Sequence, residues 1–99
     1  MKANWTKRTL HFKQPAGTSR GIMKTRDVWY ITLFQDGITG IGECAPLPRL
    51  SLDNFDLIES KLGEICKKPE FFLNDLSQLT DFPSIRFGLE MAYLDLVNG

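Results

Sequence analysis

The ten residues TGIGECAPLP, at positions 39–48, constrain the fold more than any other part of this chain. Gly40 and Gly42 stand two apart inside an apolar run, and Pro46 and Pro48 follow almost at once. Glycine inside a strand marks a bulge or a close approach by other backbone, whereas proline ends a strand ladder. The stretch therefore predicts a short strand that stops abruptly and continues into a stiff loop, where functional residues are often found.

Charge is unevenly distributed along the chain, although the formal net charge is zero. Residues 1–49 hold eight Lys/Arg and three Asp/Glu, a net charge of +5, and residues 50–99 hold four and nine, a net charge of −5. Either two solvated faces attract each other, or a basic face binds an anion through Arg8, Arg20 and Arg26. No basic cluster is interleaved with aromatic residues in a nucleic-acid-binding motif, so we expect no nucleic-acid partner.

The 99 residues suffice for one domain with a modest core, and 42% of them are hydrophobic. Cys44 and Cys66 form no CxxC motif, and His11 has no nearby Cys or His with which to bind zinc. The thiols are therefore expected to be buried or inert in a reducing compartment. Because no signal core and no long apolar run is present, we expect a cytoplasmic protein without a membrane partner.

Three strands are predicted in the first half of the chain, at residues 4–13, 25–34 and 37–45. The turn residues at 35–37, Gln-Asp-Gly, favour a tight hairpin between the second and third strands. These short returns predict an antiparallel meander. Both faces of the second strand are apolar, which is typical of a strand covered on both sides or of one that also meets a partner domain.

The connection between the first two strands is long, because residues 14–24 separate them and a hairpin needs only two to five. Its length favours a flexible lid or a binding loop. Arg20 at the tip either holds a carboxylate or phosphate by two hydrogen bonds or is a solvated arginine on a mobile turn. The residues by themselves leave both interpretations open.

The second half of the chain is helical by pattern. Ser51 is a good N-cap for a helix that ends near Lys68, and a single helical turn is expected at residues 74–79. The last helix begins at Pro83 or Ser84 and is so apolar that we expect it to be buried on more than one side. Asp95 lies near its C-terminal end, where the helix dipole disfavours a carboxylate, so a specific partner is expected.

Candidate catalytic groups are few. Glu43 is the single carboxylate in an unusual setting, and its ordinary explanation is a buried carboxylate paired with an arginine or with backbone amides. No phosphate-binding loop, metal-ligand cluster or nucleophile elbow is present in the sequence. Composition and spacing alone indicate a small soluble α+β domain.

A family resemblance adds to this interpretation. The segment GIGECAPLP at residues 40–48 resembles the GxGEaaPlP signature that ends the third strand of the enolase-superfamily N-terminal capping domain. The segment TSRG at residues 18–21 looks like a substrate-loop motif of the o-succinylbenzoate synthase branch. Residues 83–96 are similar to the helix that leads into the barrel, and the resemblance extends over essentially the whole chain.

The resemblance implies an α+β fold, with a three-stranded antiparallel meander followed by a small helical subdomain, as in the enolase N-terminal domain. Residues 1–99 would form a single capping domain, an N-terminal fragment whose partner is its own C-terminal TIM barrel. In the superfamily, that barrel carries lysine acid/base residues and three acidic ligands for Mg²⁺. The branch dehydrates a small carboxylate substrate in menaquinone biosynthesis: a base removes the proton α to a carboxylate, and hydroxide leaves to give an aromatic ring.

The resemblance assigns this chain no catalytic group and no metal ligand. Two loops, at about residues 17–24 and 46–50, would instead close over the substrate and exclude water. Other branches, such as dipeptide epimerases and muconate cycloisomerases, share the cap and stay open as alternatives, as does a stand-alone α+β protein-interaction module. The substrate-loop residues implied are Thr18, Ser19, Arg20, Gly21, Pro46, Leu47 and Pro48.

Overall fold

The computed structural model describes residues 1–12, 24–46 and 55–98, and it places three strands before a group of helices. This α+β arrangement confirms the predicted meander followed by a small helical subdomain. The elements are β1 (Lys2–Phe12), β2 (Lys24–Gln35), β3 (Ile38–Cys44), a 3₁₀ turn (Phe55–Leu57), α1 (Ile58–Lys67), α2 (Pro69–Asn74), a second 3₁₀ turn (Leu76–Leu79) and α3 (Pro83–Asn98).

The sheet is antiparallel throughout, with β2 between β1 and β3. Asp36 and Gly37 connect β2 to β3, with φ angles of +54° and +79°. Two consecutive residues with positive φ make a two-residue turn whose twist matches that of the flanking strands, for which Asp-Gly is a favoured sequence. The predicted hairpin at residues 35–37 is therefore confirmed.

One face of the sheet carries the core. Trp29, Ile31 and Leu33 alternate along β2 and are buried on that face, where α1 and α3 cover them. On the opposite face Tyr30 and Thr32 are half-buried, so this side of the central strand is only partly enclosed by the described residues. The helices contribute the other half of the core with Ile58, Leu62, Ile65, Phe72, Leu79, Phe82, Ile85, Leu89, Ala92 and Leu96.

The helices that follow the sheet differ from the expectation in two places. The predicted cap at Ser51 lies outside the described residues, and the α-helix itself begins at Ile58 after the first 3₁₀ turn. Pro69 ends α1 as expected, but it also begins α2, which the sequence did not predict. Proline fits the first helical position because its φ is already helical and its missing N–H would have no partner there.

Helix α3 runs from Pro83 to Asn98, as predicted, and packs against β3 and β2. Its buried side is formed by residues that recur every three or four positions, and the opposite side is open within the described part of the chain. The expected burial on more than one side is therefore wrong for this chain by itself, because no other described element packs on that side. The buried residues are Ile85, Gly88, Leu89, Ala92 and Leu96.

No helix within the described ranges has the length and apolar character needed to cross a bilayer.

Candidate domain-docking surface

The two glycines of β3 allow α3 to pack directly on the strand. A Cβ on Gly42 would overlap the carbonyl oxygen of Gly88 and lie 2.8 Å from the Ala92 nitrogen. A Cβ on Gly40 would overlap the Ala92 carbonyl oxygen and lie 2.6 Å from the backbone nitrogen of Leu96. Of the two alternatives predicted for this stretch, a bulge or a close backbone approach, the structure shows the close approach, and the approaching element is α3.

Small residues on the helix side complete this glycine seam, which consists of Gly40, Gly42, Gly88 and Ala92. A Cβ on Gly88 would meet the Cys44 sulfur and lie 3.0 Å from the Glu43 carbonyl oxygen. The role of Gly88 was not predicted from the sequence, although a glycine and an alanine one helical turn apart in α3 were the available signal.

The carboxylate of Asp95 fixes the outer edge of β3. The Ile41 backbone N–H donates a hydrogen bond of 2.9 Å to Asp95 Oδ2. Since β3 is an edge strand, this N–H points away from β2 and would otherwise be free to pair with another chain. The specific partner expected for Asp95 is therefore confirmed, and it is a backbone amide of the strand.

The side chain of Glu43 is not buried and paired as was expected. Its side chain is exposed, and no other described residue forms an ion pair or hydrogen bond with it. The reason is strand alternation: Gly40, Gly42 and Cys44 face α3, so Glu43 faces the other way. The prediction of a buried, paired carboxylate was wrong.

An apolar line of exposed side chains runs along the open side of α3. Phe87 and Leu94 are 62% and 56% exposed, and Met91 between them is half-buried. At about 100° per residue these positions lie on one line, opposite Ile85 and Leu89. We call Phe87, Met91 and Leu94 the α3 outer ridge.

Two grooves flank the α3 outer ridge. The β3-side groove, of about 490 Å³, lies between the end of β3 and the start of α3. The α2-side groove, of about 500 Å³, lies between α3, α2 and the N-terminus. The β3-side groove is lined by Glu43, Ala45, Pro83, Ser84, Phe87 and Met91, and the α2-side groove includes Glu70, Leu73, Leu76, Glu90, Tyr93 and Leu94.

A polar cluster lies on the α1-covered face of the sheet, where β1 and β2 meet α1. Trp29 Nε1 donates a hydrogen bond of 3.1 Å to Glu59 Oε2, which connects β2 to α1. The Lys7 ammonium lies 3.8 Å from Asp27, 4.0 Å from Glu59 and 5.6 Å from the centroid of the Trp29 ring. These pairs are partly exposed, so each contributes little to stability, but together they join β1, β2 and α1.

Most of the predicted substrate-loop residues lie outside the described part of the chain: Thr18, Ser19, Arg20, Gly21, Leu47 and Pro48. Pro46 is described and is buried just after β3. The described ends locate the two connections: Phe12 pairs with Lys24, and Cys44 pairs with Trp29 near the start of β2. Both segments, residues 13–23 and 47–54, are therefore attached at the same end of the sheet.

The candidate anion-binding group of Arg8, Arg20 and Arg26 stays a prediction, because only the side chain of Arg8 is described. Arg8 is exposed in β1, whereas Arg20 and the side chain of Arg26 lie outside the description. Within the described ranges, no three His, Cys, Asp or Glu side chains form a group that could hold a metal ion.

Among the residues that the structure describes, two titratable groups have a clearly shifted pKa. The hydroxyl and backbone N–H of Ser77 and the amide of Gln78 donate hydrogen bonds to Asp75, which lowers the pKa of that carboxyl. Burial raises the pKa of the Cys66 thiol, and neither Cys66 nor the buried Cys44 is in a disulfide. Asp75 caps the second 3₁₀ turn, and the half-buried Cys66 thiol is harder to deprotonate than an exposed one.

Comparison with known proteins identifies the family. The family model described as "MenC, N-terminal domain" matches residues 9–96. This chain belongs to the MenC N-terminal domain family. The match begins at residue 9, within β1, and includes β2, β3 and nearly all of α3, so the glycine seam and the α3 outer ridge both lie within the MenC N-terminal domain.

Two comparisons with Desulfotalea psychrophila (strain LSv54) agree with this assignment. The chain is 33% identical to its o-succinylbenzoate synthase over 131 aligned positions, which cover 100% of this chain and 36% of that protein. The crystal structure of MenC from the same strain superposes with a TM-score of 0.73 at 27% identity, covering 98% of this chain and 34% of that one. The chain therefore spans about a third of the length of the relatives it matches.

Proposed function

We propose that this MenC N-terminal domain is the capping domain of an o-succinylbenzoate synthase-like enzyme and supplies substrate-covering loops rather than catalytic groups. The observation that carries the proposal is the 33% identity to an o-succinylbenzoate synthase of which this chain covers 36%. A domain that accounts for a third of such an enzyme leaves about two thirds of the relative's length for the catalytic domain.

The loops would cover the substrate from one end of the sheet. Support comes from the common attachment of residues 13–23 and 47–54 at that end, where the Lys7–Glu59 cluster joins β1, β2 and α1. Buried Pro46 provides a fixed point at the start of the second loop. The proposed substrate-loop residues are Thr18, Ser19, Arg20, Gly21, Pro46, Leu47 and Pro48.

The chemistry would lie in the C-terminal barrel domain of the intact enzyme. There, Mg²⁺ would stabilise the negative charge that develops on the carboxylate substrate as the α proton is removed. This domain would exclude water and hold the substrate in place while hydroxide leaves. The intact enzyme would act in menaquinone biosynthesis in the cytoplasm.

Replacing Arg20 in the full-length enzyme tests the proposal. If Arg20 lies on a substrate loop, Arg20→Ala raises the KM for the carboxylate substrate and leaves the thermal unfolding temperature nearly unchanged. Arg8→Ala is the matched control, because Arg8 is an exposed arginine in the middle of β1. A large loss of thermal stability in Arg20→Ala would mark Arg20 as structural, and an equal KM effect from Arg8→Ala would favour a general anion-binding face.

A stand-alone interaction module is the competing function. Titrating the domain with the separately expressed C-terminal domain discriminates between the two: dehydratase activity that appears only in the mixture supports the cap, and absence of association in any buffer contradicts it. Assays with a dipeptide or a muconate in place of the succinylbenzoate precursor test the other enolase-superfamily branches. The identity to an o-succinylbenzoate synthase favours the succinylbenzoate precursor as the substrate.

A further inference from the structure

The face of the sheet that points away from α1 and α3 is only partly enclosed by the described residues. Side chains of a strand point to its two faces in turn, so each strand contributes alternate residues to this face. Phe34 and Ile41 are 38% and 50% exposed there, and a shallow depression of about 470 Å³ lies over the centre. We call the surface formed by six of these residues the open sheet face: Thr6, Arg8, Tyr30, Thr32, Ile41 and Glu43.

Charge on the open sheet face is separated by strand. Arg8, with Lys2 further along β1, places positive charge on that strand, whereas Glu43 places a negative charge on β3. All three side chains are exposed, and none of them forms an ion pair with another described residue. The middle strand contributes Tyr30 and Thr32. The surface therefore runs from a basic edge through an uncharged centre to an acidic edge.

The opposite charges of Arg8 and Glu43 stand apart within one chain. β2 lies between their strands, which puts β1 and β3 about 10 Å apart. Arg8 is opposite Val28 and Glu43 is opposite Tyr30, so the two charges are also offset along the strands by two residues, about 7 Å. Both side chains leave the sheet in the same direction, side by side, so a surface that faces them can meet both.

A second copy of this chain carries the complementary charge pattern. Two identical faces that stack about a two-fold axis parallel to β2 bring β1 of each copy over β3 of the other. Arg8 of each copy then faces the strand that carries Glu43 of the other, and the two uncharged central strands meet. A two-fold axis across the strands would instead stack β1 on β1, with Arg8 over Lys2. Because opposed like charges disfavour an interface, the charges select the first arrangement.

The position of α3 keeps this face accessible in a longer protein. α3 is the last described element, and it packs against β3 and β2 on the other face of the sheet. A C-terminal domain that begins after α3 therefore starts on the far side of the sheet from the open sheet face.

The size of the face fits a reversible contact. β3 has seven residues, which at about 3.4 Å each, with three strands about 4.8 Å apart, give a face of roughly 14 by 24 Å. Such a surface is at the small end of protein interfaces, so we expect association at micromolar concentrations rather than an obligate dimer.

We propose that the open sheet face is a dimerisation surface, on which a second copy of this protein packs face to face with Arg8 of each copy opposite Glu43 of the other. Tyr30, Thr32 and Ile41 form the centre of the contact and exclude water from it, while the two Arg–Glu pairs at the edges fix its orientation. The proposal concerns assembly and goes beyond the proposed function, so each can fail without the other.

Sedimentation velocity of the full-length protein over a range of micromolar concentrations tests the proposal. The wild type forms a reversible dimer. Arg8→Glu or Glu43→Arg raises the dimer dissociation constant by about tenfold or more, because two attractive contacts become repulsive at once. An equimolar mixture of the two variants dimerises again, since each variant then carries the charge that the other requires. Circular dichroism checks that each variant is folded.

Lys67→Glu is the matched control, because Lys67 is an exposed cation on α1 and its reversal changes the net charge by the same amount as Arg8→Glu. It should leave the dissociation constant unchanged, and an equal loss of dimer in this control would show an effect of net charge alone. A wild type that is monomeric at every concentration overturns the proposal. So do charge reversals without effect, which place the contact on another surface, and a mixture of the two variants that stays monomeric.

Turnover of the succinylbenzoate precursor, measured on the same samples, keeps the two proposals apart. An active enzyme that stays monomeric overturns the dimer and leaves the capping function in place. A dimer that responds to the charge reversals as expected but has no turnover supports the dimerisation surface, and the proposed function then fails.

Discussion

The two sides of α3 differ in how closely they are packed. The inner side meets β3 through the glycine seam, where backbone touches backbone and no Cβ can be added to Gly42 without overlap. The outer side carries Phe87, Met91 and Leu94, of which Phe87 and Leu94 are more than half exposed and Met91 is half-buried. The inner side is thus closely packed within this domain, whereas the outer side exposes apolar side chains among the described residues.

This difference shows why an apolar helix need not be buried all round by its own domain. Packing determines the inner side, where a change of one methyl group alters atomic contacts. On the outer side the same change alters only surface that is already in contact with water. Substitutions on the two sides of α3 should therefore differ strongly in how much they change the free energy of unfolding of this chain.

The largest effect is expected where the glycine seam is tightest. Gly42→Ala places a Cβ against the Gly88 carbonyl oxygen, and neither backbone can move without separating α3 from β3. We expect the free energy of unfolding to fall by about 3 kcal/mol, as for severe overpacking. Urea unfolding followed by circular dichroism measures the loss.

Gly63→Ala is the matched control, because the Cβ at Gly63 of α1 meets nothing within 4 Å. This substitution should stabilise the chain by about 0.5–1 kcal/mol, since alanine favours a helix more than glycine does. A Gly42→Ala variant as stable as the wild type would show that the glycine seam is not a close backbone contact.

The same substitution on the two sides of α3 gives the second test. Leu89→Ala leaves a cavity in the core and should cost about 3 kcal/mol, whereas Leu94→Ala should change stability by no more than about 0.5 kcal/mol. Thermal unfolding of this chain compares the two directly. Equal losses would mean that the outer side is already packed by the chain itself.

A smaller effect is expected at the edge of β3. Asp95→Ala removes the acceptor of the Ile41 N–H and should cost about 1 kcal/mol, since water can replace the carboxylate at this exposed position. Hydrogen exchange of the Ile41 amide should become faster. Asp95→Asn keeps an oxygen acceptor and should therefore lower the free energy of unfolding less than Asp95→Ala does. Equal decreases in both variants would argue against this hydrogen bond.

The smallest effect concerns the turn that leads into α3, and it depends on pH. Hydrogen bonds from Ser77 and Gln78 lower the pKa of Asp75 in the folded state. A lowered pKa stabilises the fold at pH values above the unfolded pKa, and this contribution is lost as the pH falls through the folded pKa. Asp75→Asn should therefore lower the unfolding temperature more at pH 7 than at pH 2. A difference independent of pH would contradict this.

The parts of the fold that depend on residues close together in the sequence could be predicted from local sequence patterns. Alternation predicted the three strands, Asp36 and Gly37 predicted the turn, and apolar spacing predicted α3. The short helix at Pro69 was missed because proline in a sequence marks the end of one helix and the start of another equally well. The substrate-loop residues Thr18 to Gly21 stay predictions, since they lie outside the described residues.

The sequence by itself predicted that Gly40 and Gly42 mark either a bulge or a close backbone approach, and that Asp95 has a specific partner. Only the tertiary structure decided that Gly88 and Ala92 make the approach, that the partner is the Ile41 amide, and that Glu43 faces away from α3. The physical reason is that a residue's own chemistry sets the conformations and contacts it requires. The element that meets those requirements comes from a distant part of the chain, and the packing of the whole domain selects it.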